Sequence, residues 1–524
     1  MQRWNPDIEP SKREQAILKR LDRTRKLFKF LRLRRHEILD DSFQDELAGM
    51  YRQTGAGDAP VPPAMLCLVV LLQAYLRTSD AEAVELSIMD ARWSMVLGCL
   101  GSDAPPFSQG ALQAFRERLI KHDMDRRLLE RTVGVARATK EFDWKKVPKD
   151  VRVAIDSRPF EGAGRVEDVF NLLGHAVRKL IDLSAQLLER PAADIYRETR
   201  IPNLLGTSVK AVLDIDWSDP DQKSQGLATL LSYVTRLEQW LERQSLLEEE
   251  PLAPYLSSLA RVQEQNLEVD DNGYTKIRRG AAEEWQVSLE DPEMRHGRKS
   301  SSKRFNGFKE HIATDLDSGL ILACAVTPAN RPEEEATPAL ADDLRRYDQS
   351  IGELSVDRAY VTSDLVREVR ASGGQVLAKP WRAANTNGDF FVKTDFKIDV
   401  RRGTITCLNG QVERFEPGAD SVVQFNAEVC GTCVLRVGCT NSPSGRSVTI
   451  SKDEAAQQGY RQLQGTRPGR VQLRRRVKVE HRLAHLARKQ GPRARYKGVR
   501  KNLFDLRRTA ALVNLEVIRA RVAA

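Results

Sequence analysis

Apolar and polar positions along the 524-residue chain fall into stretches of different period. Residues 11–50 carry apolar positions at helical spacing (Ile17, Leu21, Leu27, Leu31) among many charges. The Gly, Pro and Asp residues of Gly55–Pro63 break that pattern. Ala64–Tyr75 is an apolar run interrupted by Gln73; it falls short of the roughly 20 residues that span a bilayer and predicts a buried helix. Ser79-Asp80 caps a helix over Ala81–Asp90, and Ser108 precedes another over Ala111–Lys121. After a linker at Lys145–Asp150 the period changes to two. Val151-Arg152-Val153-Ala154-Ile155-Asp156 therefore predicts a strand. Residues 166–190 and 225–265 return to helical spacing. Phe305–Thr314 and Gly319–Val326 predict a strand pair joined by a turn at Asp315–Gly319. Glu333–Arg346 predicts a helix, Leu354–Asp357 a short strand, Thr362–Ala371 a helix and Gln375–Ala378 a strand. Trp381 to about Ile450 is loop-rich and β-prone. Val471–Lys489 predicts a last helix, ended by Gly491-Pro492.

Leaving insertions aside, the order is strand, strand, strand, helix, strand, helix, strand, helix. This is the element order of a ribonuclease-H-like fold, an α/β domain whose mixed sheet is flanked by helices. The expected layout is a basic helical segment at 1–50, an all-α N-terminal domain at 51–145 and the α/β domain at 146–524. A helical insertion (about 165–295) and a Cys-containing insertion (about 385–465) interrupt the last.

Three acids stand where carboxylates are costly. Asp156 ends an apolar strand, and Asp357 ends another after Leu354 and Val356. Glu480 falls within the helical recurrence of Leu473, Val477, Ala484 and Ala487. A carboxylate there is desolvated unless a cation meets it. Hard cations such as Mg²⁺ take such oxygen ligands. The competing reading is strand-end turn residues, with Glu480 paired to Arg476 one turn away.

Charge sharpens this picture. The net charge is +10, from 83 Lys/Arg and 73 Asp/Glu. Val471–Lys501 holds 12 bases and one acid, and Met1–His36 holds 12 bases and four acids. The remaining 59 bases and 68 acids leave the rest of the chain acidic. The C-terminal block (Arg474, Arg475, Arg476, Lys478, Arg482, Arg488, Lys489, Arg493, Arg495, Lys497) reads as phosphate contacts beside Glu480 rather than a solvated face. Lys19–Arg35 reads equally as a DNA-binding arm or a dimer-interface helix. Tyr496 reads as a base-stacking or a packing residue, His311 as structural, and His296 and His481 as isolated.

Seven cysteines, an odd number, argue against a disulfide framework. With no apolar leader or span, the expectation is a soluble cytoplasmic protein without a membrane partner, associated with the nucleoid when DNA-bound. Cys407, Cys430, Cys433 and Cys439 cluster, and Cys430–Cys433 forms a CxxC knuckle. Thiolates at this density suit a structural Zn²⁺; the alternatives are reduced structural cysteines or a redox pair.

At these residues the sequence resembles the DDE-type transposases of bacterial insertion sequences, nearest the group numbered eleven-eighty-two in the insertion-sequence-five-like set. Ser79–Glu85 and Phe115–Leu119 are similar to that family's N-terminal helical domain. Asp156-Ser157 with Gly162-Ala163-Gly164 and Asp168 is similar to its first-Asp block. Ser288–Glu293 and Phe305–Lys309 are similar to the next block, Val356–Tyr360 to the second-Asp block, and Arg476–His481 with Arg495–Gly498 to the final-Glu block. The resemblance implies that Asp156, Asp357 and Glu480 bind two Mg²⁺ ions, with Mn²⁺ as a substitute. The implied chemistry is cleavage at terminal inverted repeats and strand transfer into target DNA. It also implies double-stranded DNA as partner and at least a homodimer. Related enzymes carry a Tyr, Arg, Glu, Lys signature; here Leu473 and Ala487 replace the Tyr and the Lys, with Arg488 and Lys489 nearby. The alternatives are a domesticated or inactive DNA-binding relative and a structure-specific nuclease of the same fold.

Overall fold

The computed structural model describes residues 3–52, 59–138, 150–204, 208–269, 271, 273, 275–278, 280, 284–300, 302–382 and 390–522. Most of the predicted breaks at 55–63 and 145–150 lie outside these residues. Six strands form the central sheet: β1 (Val151–Glu161), β2 (Arg295–Arg298), β3 (Arg304–Asp315), β4 (Ile321–Pro328), β5 (Ile351–Ser355) and β6 (Gln375–Leu377). Their order is β4-β3-β1-β5-β6, with β2 pairing the start of β3. β1, β3 and β4 run antiparallel; β5 and β6 run parallel to β1. This is a mixed sheet with helices packed against it, as the element order predicted. The β3–β4 turn is held by Asp315, whose carboxylate accepts from the Asp317 and Ser318 amides. Gly319 supplies the left-handed residue, φ 75°, that closes it.

β1 runs five residues beyond Asp156. Ser157-Arg158-Pro159 breaks the apolar alternation, so the sequence conceals the extension. Pairing with β3 carries it, and Arg158 lies opposite Glu310 and binds it at 2.6 Å. The last predicted helix is in fact two, Arg467–Arg474 and Val477–Gln490, broken at Arg475-Arg476. A further helix, Val499–Val522, was not anticipated.

That final helix joins the two ends of the molecule. It packs against β4 and against helices Pro63–Leu76 and Met124–Ala138. The buried apolar residues of all these elements form one continuous cluster, which also contains Val153, Ile155 and Leu354. Asn514, fully buried, accepts from the Ile321 amide at 2.8 Å and donates to the Ile321 carbonyl at 2.9 Å. It also donates to Thr132 Oγ1 at 3.0 Å. One side chain thereby completes the edge of β4 and ties it to the N-terminal helices.

The basic N-terminal segment is partly internal. Arg32 and Arg35 are each 1% exposed. Arg32 pairs with Glu14 at 2.7 Å, and Arg35 donates to the carbonyls of Met95 and Val96. Some of the local positive charge therefore holds helices together instead of facing a polyanion.

Both insertions carry small cores of their own. Val169–Leu187, Pro220–Arg243 and Ala253–Asn266 pack around Leu173, Leu230 and Trp240. The Cys-containing segment forms a three-stranded and a two-stranded sheet around Ile405, Phe425 and Val448. No single helix among the described residues is long and apolar enough to cross a membrane.

Asn514→Leu leaves the Ile321 amide and carbonyl buried without partners. The expected loss is about 2–5 kcal/mol of unfolding free energy, measured by chemical denaturation.

Candidate active site

Asp156 and Asp357 are brought together by the parallel pairing of β1 and β5. Ala154 pairs with Ser355, and each aspartate lies two residues further along its own chain. Neighbouring strands are about 4.8 Å apart, so the two carboxylates share one edge of the sheet. Asp357 begins the 3-10 turn Arg358–Tyr360, yet its side chain accepts no capping hydrogen bond. Its oxygens are thus not committed to the local backbone.

Glu480 comes from Val477–Gln490. The buried face of that helix is Val479, Leu483, Leu486 and Gln490, one position away from the predicted seam. Leu473 belongs to the preceding helix, and Val477 is 42% exposed, so the predicted recurrence does not form a single face. Glu480 lies beside the buried face, with a side chain 49% exposed. It reaches the aspartates through a third group. Arg476 sits in the break between the two helices, 3.0 Å from Asp156 and 3.1 Å from Glu480. The pairing weighed against a catalytic role for Glu480 is therefore present, and the same guanidinium spans two of the three candidate ligands.

Burial dominates the electrostatics of Asp156 and pushes its carboxyl up to about 6. Arg476 and the Ser157 amide oppose that shift, whereas Asp357 and Glu480 add to it. All three acids thus lie within electrostatic range of one another. Among the described residues, no group of three or more His, Cys, Asp or Glu side chains is arranged to hold a metal ion. The donor set still has the right chemistry for a hard divalent cation: carboxylate oxygens only, one of them in a desolvated position that favours neutralisation.

Polar contacts at both ends fix the Glu480 helix. Near its start, Lys478 donates to the Leu316 carbonyl at 2.7 Å. At its end, Gln490 donates to Glu310 and to Asp505, each at 3.0 Å, and accepts from Arg158 at 2.7 Å. Glu310 is wholly buried, and burial pushes its carboxyl up. This cluster ties β1, β3, the Glu480 helix and the final helix to one another. Sequence reading missed it because Glu310, Gln490 and Asp505 are far apart along the chain and follow no motif.

The basic block divides into engaged and free residues. Arg475 pairs with Glu353 at 3.2 Å, Lys489 with Glu516 at 2.7 Å and Lys497 with Glu290 at 2.7 Å. Arg495 donates to the Thr78 carbonyl, and Arg493 to the Gly162 carbonyl. Arg482 is half-buried, its guanidinium lying close against Gly319. Arg474 and Arg488 are exposed and form no ion pair among the described residues. The motif residues Asp291 and Glu293 accept from the Gly498 and Val499 amides, so they anchor the start of the final helix. Tyr496 packs edge-on against Phe504, with Arg116 and Arg508 over its ring. His311 is buried between Tyr360 and Thr327, and burial lowers its imidazole to about 3. His296 bonds Asn306 at 2.9 Å.

Cys407, Cys430, Cys433 and Cys439 line one small cavity. The Leu435 amide donates to Cys433 Sγ at 3.4 Å. Burial raises the Cys439 thiol, and the other three thiols raise it further, against Arg446. The thiols share a site without converging on one point.

Asp156 carries a stability prediction. Its folded value lies above the ordinary 3.8, so its favourable contribution is full below 3.8 and is lost as pH rises through about 6. In metal-free buffer above that range, Asp156→Asn is expected to raise stability by up to about 3 kcal/mol. The gain should vanish at acid pH, and thermal melts across the pH range measure it.

Two family models match the chain. Residues 275–515 match a transposase DDE domain, and residues 18–118 match a transposase domain (DUF772). The first match includes Asp357 and Glu480 and begins after Asp156; the second covers the N-terminal helices up to Arg118. No curated protein and no solved structure matches. With two transposase domains matched over most of the chain, Asp357 and Glu480 included, the chain belongs to the DDE-type transposases of the insertion-sequence families.

Proposed function

We propose that this transposase cleaves DNA at terminal inverted repeats and joins the freed 3′ ends to target DNA, on a ribonuclease-H-like catalytic domain. The strand order β4-β3-β1-β5-β6, with three antiparallel strands followed by two parallel to the first, supports that fold. One observation carries the reading. Asp156, within β1, and Asp357, just past the end of β5, lie side by side on adjacent parallel segments, and Arg476 links Asp156 to Glu480.

Asp156, Asp357 and Glu480 would hold Mg²⁺, with Mn²⁺ as a substitute. When bound, the metal would stabilise the attacking and leaving oxygens of an in-line displacement at phosphorus. The protein's own part is placement. The Gln490 cluster holds the Glu480 helix to β1, the strand that carries Asp156, and β1 in turn pairs with the strand that leads to Asp357. Ionised Asp156 binds a cation better than its protonated form, which sets an acid limit on activity. Arg476, once released from Glu480, is placed to neutralise a phosphate oxygen. Two ends must be processed together, which requires at least a homodimer. The four thiols complete the reading as a structural Zn²⁺ site that would form by side-chain rotation about the shared cavity.

Wild-type protein with Mg²⁺ is expected to nick an end-containing duplex and to join a supplied 3′-hydroxyl end to a target. Asp357→Ala should reduce both to background while retaining DNA binding; equal cleavage by the two proteins would remove Asp357 from the site. Elemental analysis of protein purified under reducing conditions should find stoichiometric zinc, and its absence would return the four cysteines to reduced structural residues.

A further inference from the structure

Two adjoining cavities, of about 410 and about 520 Å³, lie between the N-terminal helices and the Glu480 helix. Arg77 and Lys489 line both, so the two form one cleft. Arg25, Tyr75 and Arg488 line it as well. Arg25, Arg77 and Arg488 come from three separate elements: the start of Lys26–Ile38, the end of Pro63–Leu76 and the last turn of Val477–Gln490. All three are exposed and form no ion pair among the described residues. Lys489, by contrast, is neutralised by Glu516.

Arg25, Arg77 and Arg488 give the larger cavity an unbalanced positive charge that favours an anion; the carboxylates Glu82 and Asp505 line only the smaller one, where Asp505 pairs with Arg508. Arg25 lies over one side of the Tyr75 ring at 5.8 Å and Lys489 lies 4.5 Å from its centre, which keeps the cations facing the cleft. Arg25 and Arg77 both adopt the left-handed region, φ 54° and 61°, a conformation that is unfavourable for arginine. The cleft also points toward the active site. Glu480, Ala484 and Arg488 follow one i, i+4 ridge of their helix, and the exposed methyl of Ala484 leaves the path between the other two clear. Eight residues of helix place Arg488 about 12 Å from Glu480 along the axis. At about 3.4 Å of axial rise per nucleotide, a duplex lying along this helix spans that distance in three to four nucleotides.

We infer that this cleft grips the sugar-phosphate backbone of the duplex being cut, through Arg25, Arg77 and Arg488, some three to four nucleotides from the scissile bond. The inference rests on the proposed DNA-cleaving function and names where its substrate is held. The N-terminal helices and the catalytic helix then hold one stretch of DNA jointly. Because phosphates carry no sequence information, the contact fixes register without selecting bases.

The test uses the full chain with Arg25→Ala, Arg77→Ala and Arg488→Ala combined, and Arg402→Ala, far along the chain in the Cys-containing insertion, as control. Binding to an end-containing duplex is followed against salt. Each phosphate contact contributes about 0.9 to the log–log slope, so the triple variant should lose about 2–3 from the slope while the control keeps it. Thermal melts should be unchanged, since all three side chains are exposed. Methylphosphonate linkages three to four nucleotides from the cut should weaken wild-type binding and leave the triple variant unaffected. An unchanged slope, or equal sensitivity of both proteins to the neutral linkages, overturns the cleft assignment. If wild type cuts DNA and the slope is unchanged, only the cleft fails. If the slope falls as expected but wild type never cuts, the cleft stands and the proposed chemistry fails.

Discussion

A carboxylate buried in the middle of a β-strand has to be met by positive charge, and much of this molecule is organised around that requirement at Asp156. Asp156 lies in β1 just past the end of its pairing with β5, still paired with Ile312 of β3, and its side chain is largely desolvated, 15% exposed. Its nearest neighbours of like charge, Asp357 and Glu480, make matters worse. Arg476 offsets this from a break between two helices, a place where a backbone bend aims its side chain inward. The arrangement costs stability, as active sites commonly do, and the surrounding core makes up for it.

That compensation comes from unusually wide connections. The final helix touches the sheet and the N-terminal helices together, with Asn514 bonding to both. Arg158, Glu310, Gln490 and Asp505 form a second buried polar cluster that ties the sheet to two helices. Polar clusters of this kind demand that every partner be present, so they hold a single arrangement more strictly than apolar packing alone.

The sequence disclosed these features unevenly. Period-two alternation located β1, and short apolar runs located β5 and β6, because local pattern tracks burial of strands. The end of β1 stayed hidden because Ser157-Arg158-Pro159 is strand only through its pairing with β3. The helical recurrence singled out Glu480 but misassigned its face: the recurrence through Leu473 and Val477 crosses a helix break that composition does not mark. Charge counting located the basic block and could not divide it. Whether Lys497 meets Glu290, or Arg488 forms no ion pair among the described residues, depends on residues brought close only by the fold. Motif resemblance grouped Ser288–Glu293 with Arg495–Gly498, and the structure gives the reason: Asp291 and Glu293 anchor the first amides of the final helix.

The position of that final helix bears on synthesis. It is made after every strand of the sheet, yet it covers β4 and the N-terminal helices. Until it emerges, those surfaces lack their partner and the Ile321 backbone lacks Asn514. A ribosome-bound chain can therefore hold both aspartates and Glu480 and still have no settled site. The order of translation thus leaves the candidate site unsettled until the final helix, which carries none of the three acids, has docked.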